Sequence, residues 1–333
     1  ISKTSQISLQ YRFDYEDQDI AKTAYITNGL NLDNPFSGEN FNVAGLEPNT
    51  SLSSMTSSVS MEHRIGPGYR YSKGKNTIVA NVYYQYSQLS GVVDKGGKRE
   101  IISEDYHHPT YFFMANVAFN AQNTIRLFLS SYTQNPDVRN LQNIYDVSNA
   151  QYLSKGNPNL RSSYSHRLNM HYVRSNIEKG RTFMIMFSGQ LTQDYIGQKI
   201  EYNPQTIVID GEEYNPLQSA TYANMNGYYN IRSHISYGFP ISPIKCNLNL
   251  QAGVTWSRTP SMINGETNYT SNMGYDAMFS LGSNISENID FTVQWNGTFN
   301  DARQSLALRA NRNMYFSHTA SGNLKWVFWK GFT

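Results

Sequence analysis

The sequence predicts an all-β fold, an antiparallel transmembrane β-barrel in which about twelve strands are visible. Three observations carry this: period-two alternation in the apolar segments, connections that alternate long and short, and aromatic residues gathered at strand ends. Lys245–Trp256 shows the first most clearly. Cys246, Leu248, Leu250, Ala252, Val254 and Trp256 fall on one parity, and Asn247, Asn249, Gln251, Gly253 and Thr255 on the other. Such a ribbon needs one dry side, which a protein core or a lipid bilayer can supply.

Composition describes a surface short of its usual charge. Charged residues are only 16% of the 333, although Tyr (25) and Phe (16) are abundant and mean hydropathy is -0.54; a soluble domain carries about 25% charged residues. A net charge of +2 gives no basic face for nucleic acid. The single Cys246 cannot form an internal disulfide and sits on the apolar parity, as a small buried hydrophobe would. No run of about 18 apolar residues suggests a spanning helix.

Taken in order, the strands are expected near 4–16, 52–65, 76–89, 109–120, 123–133, 162–175, 181–194, 223–238, 245–257, 272–284, 289–300 and 313–329. The first alternates Tyr11, Phe13 and Tyr15 with Arg12 and Asp14, and the second places Glu62 and His63 among its polar residues. Tyr84 and Tyr86 close the third; Tyr111 and Phe113 open the fourth, and Phe119 ends it. The fifth has an aliphatic middle of Ile125, Leu127 and Leu129, with Arg126 opposed and Tyr132 at its end. The sixth sets His166, Leu168, Met170 and Tyr172 against Asn169 and His171. Phe183, Tyr237 and Phe239 mark the seventh and eighth, and the ninth is Lys245–Trp256. The tenth is bounded by turn residues, and the eleventh opposes Phe291, Val293, Trp295 and Phe299 to Asp290 and its polar neighbours. The twelfth runs from Tyr315 and Phe316 to Trp326 and Phe328.

The connections 17–51, 90–108, 134–161, 195–222, 258–271 and 301–312 are long, and those between them short. In a meander, alternate connections lie at opposite ends of the sheet, so all the long ones project from one end. Outer-membrane barrels sort their loops this way. With odd strands running outward, Tyr11, Phe13, Tyr15, Tyr84, Tyr86, Tyr111, Phe113, Tyr132, Trp256, Tyr315 and Phe316 form an outer aromatic band. Phe119, Tyr172, Phe183, Tyr237, Phe239, Phe291, Trp326 and Phe328 form an inner one. The other parity, with Arg12, Asp14, Glu62, His63, Arg126 and Asp290, faces a wet or plugged lumen, where charges are cheap.

The connection Thr133–Ser165 adds a motif. Thr133, Pro136, Val138, Leu141, Asp146, Ser148 and Asn149, followed by Gly156-Asn157-Pro158-Asn159-Leu160 at the start of a strand, resemble the signature of the Bacteroidetes-type outer-membrane β-barrel family related to TonB-dependent receptors. The chain departs from it at Leu160-Arg161-Ser162-Ser163, where Leu-Lys-Pro-Glu is usual, and at Ala150, where proline is usual. Gly156 and Pro158 also fit a plain turn, glycine permitting a positive φ and proline extending Asn157.

The resemblance implies a barrel of about 22 strands filled by a plug, with residues 1–333 as one barrel domain lacking that plug. It also implies bacterial outer-membrane localisation, TonB engaged through the absent plug, and nutrient uptake by long extracellular loops. Outer-membrane lipid and a surface lipoprotein or other outer-membrane subunit are the further partners expected. An even strand count also allows a small closed barrel.

A scaffold barrel would lack an upstream plug. A lipid hydrolase would need Ser162, Ser163 or Ser165 with His166 and Asn169, yet His166 and Asn169 lie on opposite parities. Glu104-Asp105-Tyr106-His107-His108, expected in a loop, has adjacent histidines that an extended chain points apart. Asp210-Gly211-Glu212-Glu213 lacks a calcium-loop register, and the glycines at 66–68 and 91–97 read as turns. No enzyme, cofactor or metal is therefore expected. Arg139, Tyr145, Tyr202, Tyr214 and Tyr222 in the long loops are the candidate ligand contacts.

Overall fold

The structure, a computed structural model, describes residues 4–26, 46–283, 289–306 and 312–327. Parts of the connections 17–51 and 301–312, the turn 285–288, Phe328 and the end of the twelfth expected strand lie outside the described residues.

In chain order the strands are β1 (Ser5–Tyr25), β2 (Pro48–Lys73), β3 (Asn76–Lys95), β4 (Lys98–Ala118), β5 (Asn123–Gln134), β6 (Tyr152–Ser154), β7 (Ser163–Asn176), β8 (Arg181–Gln193), β9 (Tyr195–Tyr202), β10 (Ile207–Ile209), β11 (Glu212–Tyr214), β12 (Gln218–Met225), β13 (Tyr228–Ile241), β14 (Cys246–Ile263), β15 (Glu266–Ser283), β16 (Ile289–Gln304) and β17 (Arg312–Trp326). One short helix, α1 (Val138–Leu141), lies between β5 and β6. The long strands form a single antiparallel path, β1-β2-β3-β4-β5-β7-β8-β13-β14-β15-β16-β17. Each of the twelve expected strands is present, in meander order.

Register keeps one parity of each strand on one face. Leu248↔Phe239, Leu250↔Tyr237, Ala252↔Ile235 and Trp256↔Ile231 continue across β13, and the same β14 residues meet Leu281, Phe279, Ala277 and Met273 of β15. Among the described residues no layer of protein covers this apolar face: Leu250 is 42% exposed, Trp256 45% and Leu9 76%. An aliphatic and aromatic surface of this extent is unfavourable in water and suited to acyl chains. The other face carries Arg12 bound to Asp14, Arg64 bound to Glu62, and Arg126 bound to Asn116.

At the outer end the strands outrun the bilayer and go on pairing, because a ladder satisfies backbone groups as well above the membrane as within it. The expected loops 90–108 and 258–271 are therefore long hairpins that turn only at Gly96-Gly97 and at Asn264-Gly265. All four residues have positive φ (59°, 74°, 49° and 84°), which a two-residue turn matched to strand twist requires. The Glu104–His108 segment consequently lies within β4, with His107 outward against Tyr84 (Oη to Nδ1, 2.7 Å) and His108 inward.

Three side-chain placements differ from expectation. His63 is on the apolar face, hydrogen-bonded to Tyr11 (2.9 Å), because it is adjacent in sequence to inward Glu62. Tyr132 faces the lumen, where the Arg167 guanidinium lies over its ring at 5.2 Å, and Tyr315 takes the lumenal parity because neighbouring Phe316 pairs with outward Phe299. Gly66 to Gly68 is not a turn but lies inside β2, where β3 approaches so closely that a Cβ on Gly66 would sit 1.8 Å from the Val82 carbonyl oxygen. Of the glycines at 91–97, Gly91 lies within β3. Cys246 is buried, as its parity indicates.

Candidate functional site

The polar face of β3 turns apolar toward its outer end: Asn81, Gln85 and Ser87 give way to Leu89 and Val93, joined by Ile102 and Tyr106 from β4. This patch is where the connection between β5 and β7 docks. Val138 and Leu141 of α1, together with Leu160, are at most 5% exposed and form one cluster with the patch, flanked by Ile196 and Tyr222. Gly91 lies beneath α1; a Cβ there would stand 2.7 Å from Val138 Cγ2 and 3.0 Å from the Ser57 carbonyl oxygen. The long connection is thus folded into the barrel mouth on a hydrophobic core of its own.

Polar groups fix the fold of this loop. Asp137 caps α1, accepting from the Arg139 backbone amide (2.8 Å) and from the guanidinium (3.0 and 3.1 Å). Asp146 accepts from the Ser148 amide (3.0 Å) and meets Lys95 Nζ at 3.2 Å. Partial burial pushes both carboxyls up, but these hydrogen bonds and cations outweigh it and hold both below the usual carboxylate range.

The Gly156–Leu160 motif acts by close approach. Gly156 is not among the glycines with positive φ; a Cβ on it would lie 2.4 Å from the Gln142 carbonyl oxygen and 2.5 Å from that of Asn140. Asn157 then donates its amide to the Asn140 carbonyl (2.6 Å) and its side chain to the Tyr222 carbonyl (3.0 Å), and accepts from the Asn159 amide (3.0 Å). Two residues separate the segment from β7, so it feeds that strand as expected, and it also joins loop to loop.

The connection between β8 and β13 is also ordered. β12 pairs with β9 antiparallel and with β6 in parallel, and β9 pairs with β14 through Met262 and Ile263. The two loops therefore share one small sheet across the mouth. Asp210-Gly211 is the turn of the β10–β11 hairpin, both residues having positive φ, and Asp210 pairs with Lys98 at 2.5 Å.

Beneath the folded loop, against the inner wall of β1 and β2, lies a cavity of about 490 Å³ lined by Glu16, Gln18, Ser58, Ser60 and Glu62 from the wall, Leu89, Thr133, Gln134 and Ser163 from β3, β5 and β7, Asn135 to Val138 and Asn140 from the loop, and Tyr195, Ile196 and Tyr222. Glu62 accepts from Arg64 (2.6 Å) and from Gln85 (2.8 Å), whose side chain is 1% exposed.

Of the expected ligand contacts, Arg139 and Tyr222 converge on a neighbouring cavity of about 310 Å³, and Tyr222 also lines the larger one. Tyr145 and Tyr214 meet at another, of about 260 Å³, and Tyr202 lies apart. Sequence reasoning missed Tyr195, whose ring is stacked on Tyr228 (4.7 Å, 9°). The alternation of Tyr195, Gly197 and Lys199 in a short polar segment was the available signal.

The catalytic alternative finds no assembled constellation. His166 faces outward, bonded to Tyr111 (2.8 Å), while Asn169 accepts from Ser188 and Ser165 bonds Thr192. Ser162 donates to Asn135, and Ser163 to the Gln134 carbonyl. Among the described residues no three His, Cys, Asp or Glu side chains group to hold a metal.

No curated protein matches the chain. Among solved structures, it is similar to a mutant of the ferric enterobactin receptor of Pseudomonas aeruginosa, with 9% identity and a TM-score of 0.47, covering 95% of this chain and 51% of the receptor. It is also similar to the siderophore receptor PirA of the same organism, with 9% identity and a TM-score of 0.33, covering 97% of this chain and 68% of that one. The chain thus spans about half the length of the first receptor. The model of the outer membrane protein beta-barrel family matches residues 98–331, more than half of the chain. Sheet topology, an uncovered apolar face and a polar inner face agree with this match. The chain is a bacterial outer-membrane protein and belongs to the outer membrane protein beta-barrel family.

Proposed function

We propose that this barrel domain, completed by a plug outside residues 1–333, is an uptake receptor: its mouth captures a nutrient and passes it inward with energy from TonB. One observation carries the reading, the external loop folded into the lumen on its own hydrophobic core above a polar cavity. A scaffold has no need of a structured, partly hollow mouth, whereas a receptor needs preorganised groups at its entrance. The arrangement supports binding and passage in preference to catalysis. A surface lipoprotein docked over the mouth is the partner this geometry suits.

Growth tests the proposal. A strain lacking the protein is expected to fail on a subset of nutrients in a panel, and a strain lacking TonB to fail on the same subset. Normal growth of the TonB-deficient strain on that subset refutes energised uptake.

A further inference from the structure

The geometry points to the cavity beneath the folded loop as a subsite for a neutral saccharide, an inference that rests on the uptake reading. Charge narrows the ligand first. Among the described residues, Glu16, Glu62 and Asp137 line the cavity, and no lysine or arginine does. Two of these carboxylates already hold a guanidinium, Glu62 that of Arg64 at 2.6 Å and Asp137 that of Arg139 at 3.0 Å, while Glu16 has no partner among the described residues. An anionic metal chelate or a phosphorylated compound would bring like charge into a partly desolvated site. A peptide would leave its terminal carboxylate without a cation.

A hydroxyl group is the complementary donor, because hydrogen bonds to carboxylates are shorter and roughly twice as strong as neutral ones. The rest of the lining is suited to groups that both donate and accept: the amides of Gln134, Asn135 and Asn140 and the hydroxyls of Ser58, Ser60 and Thr133. Vicinal hydroxyls of a sugar present that pattern repeatedly. The apolar face of a pyranose needs a flat, fixed partner. Tyr195 provides it, its ring held parallel on Tyr228 at 4.7 Å with Ile196 beside it. The volume, about 490 Å³, falls within the range of roughly 300–1,000 Å³ of small-molecule sites.

The test uses the full-length protein purified in detergent and an array of neutral oligosaccharides, each paired with its uronic-acid and sulfated counterparts, with cationic peptides as a further set. Wild type is expected to bind at least one neutral probe in preference to its acidic counterparts. Tyr195→Ala is expected to weaken that binding at least tenfold, and Glu62→Gln severalfold, with heat-modifiable mobility confirming an intact barrel. Binding confined to acidic probes or peptides, no binding to neutral probes, or binding unchanged in both variants overturns the inference. The two readings fail separately. A bound saccharide that enters cells without TonB removes energised uptake and leaves the subsite, whereas TonB-dependent uptake of another compound by a protein that binds no saccharide removes the subsite alone.

Discussion

Replacing Leu141 by alanine should release the folded loop without unfolding the barrel. Leu141 is 1% exposed and packs in the small cluster with Leu89, Val93, Ile102, Tyr106, Val138 and Leu160. Leucine-to-alanine changes at fully buried sites cost about 2–5 kcal/mol. The cluster lies between a loop and a wall and can partly collapse, so about 3 kcal/mol is the reasonable magnitude. None of that loss falls on the ladders of the long strands, whose hydrogen bonds do not involve the loop. Opening of the loop should therefore become more frequent by a factor of about 150, since 1.4 kcal/mol is tenfold. Hydrogen exchange reads this directly at the amides that close the loop: Leu141 to Asp137, Gln142 to Val138, and Asn157 to Asn140. Amides of the β14–β15 ladder serve as the control. Unchanged exchange at the loop amides, or equal acceleration of the ladder, would refute the argument that the loop is held by a core separate from the barrel.

Other perturbations test other links. Gly156→Ala should displace the Asn157–Asn140 bond by driving a methyl group into two carbonyl oxygens, costing about 1–3 kcal/mol, and should accelerate exchange at Asn157 and Leu160 while barrel melting is unchanged. Ala252→Arg, on the lipid face, should lower stability in urea titrations of the vesicle-folded protein by about 2–4 kcal/mol, and Gln251→Arg, on the lumenal face, by far less; equal effects would mean the faces are misassigned. The docked loop should loosen in acid. Asp137 and Asp146 have folded-state values below their unfolded ones, so their contribution is complete above the unfolded value of about 4 and is lost as pH falls through the folded values. Protease sensitivity of the loop should rise below about pH 4, and the double change Asp137→Asn and Asp146→Asn should flatten that dependence.

Much of the architecture could be read from residue order because a strand between lipid and lumen must alternate, and Leu248 to Trp256 does so without exception. Limits appeared where that constraint lapses. Above the bilayer nothing obliges β3, β4, β14 and β15 to stop, so only Gly96-Gly97 and Asn264-Gly265 marked where these hairpins turn. The polarity of His63 points to the lumen, yet a Tyr11 hydroxyl satisfies it on the outer face. The mouth was least legible. Gly156 identified the segment, but its role depends on Asn140 and Gln142 crossing above it, a contact no local pattern encodes. Tyr195 and Glu62 come together only through the fold.

The sheet that joins β6, β12, β9 and β14 ties two sequence-distant loops into one fabric anchored to a wall strand. For either loop, swinging aside alone costs the row of backbone bonds it shares with the other. Any widening of the entrance must therefore come from tilting this woven patch as a unit. Foreign residues grafted at Asn149-Ala150, beside the weave, would ride on it, whereas the same graft at Ala220 would unpick both loops at once.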